Sequence, residues 1–77
     1  MDDKTLKQIA DKIEKYMQND YADEWHIELN GNSIIGYYTD VRVFILDYDE
    51  DVEDWYISGA NVNVETIVDI NKILREK

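Results

Sequence analysis

The chain has 77 residues, eighteen acids against eight lysines and arginines, a net charge of −10, and no Cys or Pro. Without Cys there is no disulfide and no thiolate zinc site, and no run of about 20 apolar residues offers a membrane span. A field this negative repels nucleic acid and anionic membranes and draws basic surfaces, which argues against direct DNA or RNA binding. The length fits one domain over residues 1–77, burying only about 60% of the surface of its unfolded form. The polar N-terminus MDDKTLKQ, unlike a signal peptide, and the absence of Cys fit a cytoplasmic protein.

The charge is unevenly distributed. Residues 1–15 balance four acids against four lysines, and residues 72–77 carry +2. Residues 16–71 hold thirteen acids against Arg42 alone, a block of −12.

Leu6, Ile9, Ala10, Ile13, Tyr16 and Met17 fall on one stripe of a 3.6-residue period and predict a first helix. Asp2 or Asp3 can cap its start, and Thr5 with Gln8 reads as a capping box one turn later. The stripe ends near Asn19, and NDYADE reads as a connection.

The period then changes to two. In EWHIELN, Trp25, Ile27 and Leu29 alternate with His26, Glu28 and Asn30, as in a strand with one wet face. Asn30-Gly31 supplies the left-handed conformations of a tight hairpin turn. SIIGYY reads as a second strand, with Gly36 at a bulge or bend. VRVFILDYD reads as a third, with a break near Asp40 rather than one long bent strand across 33–49.

WYISGA is a final short strand. Asn63 reads as the N-cap of a second helix striped by Ile67, Ile70 and Leu74, with Glu65 at its positive end and Lys72, Arg75 and Lys77 at its negative end. The expected fold class is α+β: an antiparallel sheet of three or four strands between an N-terminal and a C-terminal helix, α-β-β-β(-β)-α. In the third strand both Val41, Val43, Ile45 and Phe44, Leu46, Tyr48 are apolar, so the strand reads as buried on both faces. With both helices on one face, the second apolar set is exposed unless a loop, a terminus, one helix or an interface, with a second copy or with a target, covers it.

DYDEDVEDW, from Asp47 to Trp55, sets six carboxylates in nine residues with no cation. Asp47, Asp49 and Asp51 have the spacing that opens a calcium loop. Its sixth position is Val52 in place of Gly, and its twelfth is Ser58 in place of a bidentate Glu. No metal or other cofactor is expected. His26 is the only histidine and lies on the polar phase of its strand, with no nucleophile beside it in sequence, and the three glycines are scattered singly. No catalytic residues are assigned, and the chain reads as a non-enzyme.

A hairpin tip is the better reading of the acidic stretch. Asp47 and Asp49 then share a face, while Glu50, Asp51, Glu53 and Asp54 crowd the turn, with Asp40 and Glu28 adding to the field from neighbouring strands. Tyr48, Trp55 and Tyr56 flank the carboxylates, giving a partner-binding set of Asp40, Asp47, Tyr48, Asp49, Glu50, Asp51, Glu53, Asp54, Trp55 and Tyr56. Such a surface suits a basic groove, above all one that normally holds nucleic-acid phosphates. Solubility and protection of sheet edges are the plain alternatives.

LDYDEDVEDWYI at 46–57 and the acid excess from Asp20 to Asp69, in a short Cys-free α-β-β-β-α order, resemble small phage-encoded inhibitors, notably anti-CRISPR proteins that mimic DNA. The likeness is one of architecture and charge, with no diagnostic motif. It implies non-catalytic binding where a Cas nuclease reads its duplex. An immunity or antitoxin-type partner of a basic toxin, and a homodimeric phage protein, are the other classes the same features fit.

Overall fold

The computed structural model describes residues 2–20 and 24–75, and for Asp20 the backbone only. Helix α1 runs Asp3–Asp20. Asp2 is its cap, accepting the Thr5 N–H at 2.7 Å, and that bond holds the Asp2 carboxyl below its usual range. The helix therefore starts a turn before the Thr5–Gln8 box, whose Thr5 lies inside it. Of the expected connection at residues 19–24, Asn19 and Asp20 are helical and residues 21–23 lie outside the described residues.

Strands β1 (Trp25–Asn30), β2 (Ser33–Tyr38), β3 (Val41–Asp49) and β4 (Asp54–Ser58) follow, then helix α2 (Val64–Leu74). The strands form one antiparallel meander in the order β1-β2-β3-β4. Short turns between successive strands require this arrangement. The expected α+β architecture is thus present with four strands, including the break at Thr39-Asp40 between β2 and β3.

Strand alternation and register divide the sheet into two faces. Trp25, Ile34, Phe44, Leu46 and Trp55 bury themselves with Leu6, Ala10, Ile13 and Met17 of α1 and Ile70 and Leu74 of α2 in one core cluster. Both helices therefore cover the same face. Full burial of such side chains contributes about 1.5–3 kcal/mol each. On α2, the Asn63 carboxamide accepts the Thr66 N–H at 2.8 Å and the Thr66 hydroxyl at 2.9 Å, so the cap also satisfies a buried polar side chain. The core stripe of α2 is Thr66, Ile70 and Leu74, one residue off the expected Ile67.

Gly36 is explained by the core. A Cβ there would lie 2.3 Å from two carbons of the Phe44 ring, which packs across the glycine. The register shifts between Gly36 and Tyr37: Gly36 faces Phe44, Tyr37 faces Arg42, and Val43 is the extra residue. This bulge breaks the second apolar set expected on β3. Val43 is buried, Ile45 only partly so, and Val41 is 59% exposed, so that strand is not buried on both faces.

The first hairpin differs from expectation by one residue. Asn30 pairs with Ser33, leaving Gly31-Asn32 as the loop with Gly31 at φ 60. Glycine at the first central position suits a II′ turn, where Asn30-Gly31 implied a I′ turn. The outer edge of β1 is closed by α1: Glu14 accepts the Ile27 N–H and Gln18 donates to the Trp25 carbonyl, both at 2.9 Å. No helix among the described residues is long and apolar enough to cross a membrane.

Candidate functional site

The face away from the helices consists of cross-strand rows fixed by register. At one end lie His26, Tyr37 and Arg42; next come Glu28, Ile35, Ile45 and Ser58; then Asn30, Ser33, Asp47 and Tyr56; and last Asp49 and Asp54. The face is therefore polarised. Arg42, the sole cation of residues 16–71, stands at one end, and the acids gather at the other.

The acidic end is a real hairpin. Asp49 pairs with Asp54 across the loop Glu50-Asp51-Val52-Glu53, in which Glu53 adopts φ 53. Asp49 accepts the Asp51 N–H at 2.8 Å, a local bond that turns the chain. Because strands flank the acidic run on both sides, the calcium-loop spacing sits in a β-hairpin. Among the described residues no group of three or more His, Cys, Asp or Glu is arranged to hold a metal ion.

Asp47 is anchored between its neighbouring strands, accepting the Ser33 hydroxyl of β2 and, at 3.3 Å, the Ser58 hydroxyl of β4. The two hairpin turns at this end are linked as well. The Tyr48 N–H donates to the Asn32 carbonyl at 3.0 Å, and the Asn32 amide donates to Glu50 at 3.2 Å. Between them lies an open depression of about 450 Å³ lined by Asn32, Asp47, Tyr48, Asp49, Glu50, Asp51 and Tyr56. Four of these seven described lining residues are carboxylates.

Asp54 is paired with a side-chain cation. Its carboxylate accepts the Trp55 N–H at 2.7 Å and the Arg75 guanidinium at 3.0 Å. The Trp55 bond first, and Arg75 second, hold its carboxyl below the usual range. Arg75 stands at the C-terminal end of α2, as the sequence placed it, and is also a counter-charge of the hairpin.

The expected partner-binding set separates in space. Asp47, Tyr48, Asp49, Glu50, Asp51 and Tyr56 come together at the depression, with Glu53 and Asp54 beside them in the same hairpin. Asp40 does not join them. It sits in the β2–β3 turn, and the nine residues of β3 carry it roughly 25 Å away. Glu28 lies on β1, its carboxylate 3.6 Å from His26. The Trp55 and Tyr48 rings point to the helix side. Trp55 is 8% exposed within the core and stacks edge-on against Tyr48 at 5.1 Å. Of the three flanking aromatics, only Tyr56, 52% exposed, shares the carboxylates' face.

Tyr37, which no acidic run announces, is the other aromatic of that face, stacked on His26 with centroids 5.0 Å apart. Strand alternation across SIIGYY carries the signal that finds it. Ser33 and Ser58 share Asp47, while His26 lies two rows away, so the three do not form a nucleophile–base constellation.

No family model, curated protein or solved structure matches this chain.

Proposed function

We propose that this chain is a non-enzymatic inhibitor whose acidic sheet end occupies the nucleic-acid-binding surface of a basic protein, its carboxylates standing in for DNA phosphates. The observation that carries this function is the depression in which Asp47, Asp49, Glu50 and Asp51 converge beside Tyr56. Asp47 and Asp49, one strand repeat or about 7 Å apart, repel by roughly 0.6 kcal/mol in water. That repulsion contributes nothing to the fold, and a cationic partner turns it into attraction.

Behind the carboxylates, Ile35, Ile45, Tyr37 and Tyr56 give the same face an apolar and aromatic interior. Exposed aromatics take arginine side chains by stacking, and carboxylates take them by paired hydrogen bonds. A bacterial protein that grips duplex DNA with arginines, a Cas nuclease among them, presents the complementary surface. The chain would then act in the host cytoplasm.

Charge reversal tests this function. Asp49→Lys with Asp51→Lys is expected to abolish binding to the target. Reversing Asp3 and Asp11 on α1 changes net charge equally and is expected to weaken binding only slightly. Equal losses from the two pairs would reduce the effect to net charge alone and refute the assigned surface.

A further inference from the structure

The two edges of the sheet are treated differently. On β1 two outward main-chain groups are covered from α1, the Ile27 N–H by Glu14 and the Trp25 carbonyl by Gln18. On β4 the ladder with β3 uses Asp54, Tyr56 and Ser58, because the Tyr48 N–H points to the other side, at Asn32. Trp55 and Ile57 therefore turn their main-chain groups outward. The Trp55 N–H is taken by Asp54, the charged first residue of β4, whose carboxylate Arg75 also holds. Among the described residues this leaves the Trp55 carbonyl and the Ile57 N–H and carbonyl along the rest of the edge, from Trp55 to Ser58, where no side chain is charged. Edge strands are ordinarily guarded by Lys, Pro or a bulge, and this stretch has none of them.

We propose that the β4 edge receives an extended strand of the target with arginine or lysine at alternate positions, a step that rests on the acidic-surface function proposed above. Register sets the chemistry. The residue of an added strand opposite Ile57 exchanges main-chain bonds with it, and the residue opposite Trp55 donates to the Trp55 carbonyl. Residues opposite Asp54, Tyr56 and Ser58 project onto the open face, with Cβ atoms about 5 Å from those partners.

A cation opposite Tyr56 lies against that ring and within reach of Asp47, the cross-strand neighbour of Tyr56. One opposite Asp54 takes the place Arg75 holds, so the chain already shows a guanidinium seated on that carboxylate at 3.0 Å. A second copy fits less well. It would pair one chain of net charge −10 with another, whereas an alternating basic strand is complementary at each side chain it turns to this face.

The probe is a ten-residue peptide alternating Arg with Thr, with two N-methylated versions. Methylation of the Thr amides removes the donors that face β4, whereas methylation of the Arg amides removes donors that face away. The parent peptide is expected to slow exchange of the Ile57 amide. The Thr-methylated peptide should bind roughly tenfold more weakly, the effect of two lost hydrogen bonds, and the Arg-methylated one should match the parent.

Equal binding of the two methylated peptides would overturn the strand pairing and leave the acidic surface standing. No binding of the parent would overturn it too, and the reversal of Asp49 and Asp51 then decides the acidic surface separately. Protection of the Ile57 amide that grows with protein concentration in the absence of peptide would assign the edge to a second copy, against the proposal.

Discussion

Gly36 and Thr39 mark the two places where a single residue most constrains the sheet. Gly36→Ala pushes a methyl into the Phe44 ring, and overpacking of this kind costs about 1–3 kcal/mol. Urea denaturation should show a lower midpoint with an unchanged slope. Thr39 is a β-branched residue held at φ 58, a conformation that costs an L-residue roughly 1–2 kcal/mol. Thr39→Gly should raise the urea midpoint despite losing the hydroxyl bond to the Tyr38 carbonyl; a lower midpoint would show that this bond outweighs the strain. Asp54 supplies a pH signature. Its folded carboxyl titrates below the usual 3.8, so the charge stabilises the fold at pH values above that figure. The contribution disappears as pH falls through the depressed folded value. The stability gap between the parent and Asp54→Asn should therefore be full at neutral pH and close in strong acid. Relief of repulsion among the other acids moves both proteins alike and cancels from the difference.

At the scale of elements, α2 depends on its cap. Asn63→Ala removes the acceptor shared by the Thr66 N–H and hydroxyl, and loss of an N-cap costs about 1 kcal/mol. A smaller cost here than for a fully exposed cap would contradict the double role of Asn63. The double substitution Glu14→Ala with Gln18→Ala uncovers the β1 edge; alongside lower stability it should increase aggregation, read by light scattering at matched net charge with Glu14→Gln as reference. The elements themselves were legible because their periods are unambiguous: Leu6 to Met17 repeats at 3.6, and Trp25 to Leu29 at two. A bulge or bend was legible at Gly36, where the register does shift, but not that its extra residue is Val43, because VRVF alternates equally well with or without one. The Phe44 ring over Gly36 is a tertiary contact that no local pattern encodes. The same limit governs the site. Six carboxylates in nine residues announced the hairpin, but adjacency in sequence placed Tyr48, Trp55 and Tyr56 together, whereas strand alternation sends only Tyr56 to the acidic face. Asp40 was grouped by charge, and the length of β3 removes it.

At the scale of the whole molecule, a block of −12 over residues 16–71 sets both stability and association. Moderate salt screens repulsion between exposed charges more than about 10 Å apart, so the Tm should rise between low and moderate NaCl; a steady fall would mean that attractive pairs such as Arg75–Asp54 dominate. The same salt should weaken target binding, because the surface that destabilises the free chain is the one a basic partner neutralises. The most direct measurement is competition. The chain, immobilised, is exposed to a bacterial lysate, and the proteins it retains are challenged with duplex DNA. The chain is expected to retain nucleic-acid-binding proteins, the duplex to release them, and the Asp49→Lys, Asp51→Lys chain to retain none of them. Retention that survives both the duplex and the charge reversal would contradict DNA mimicry by the acidic sheet end.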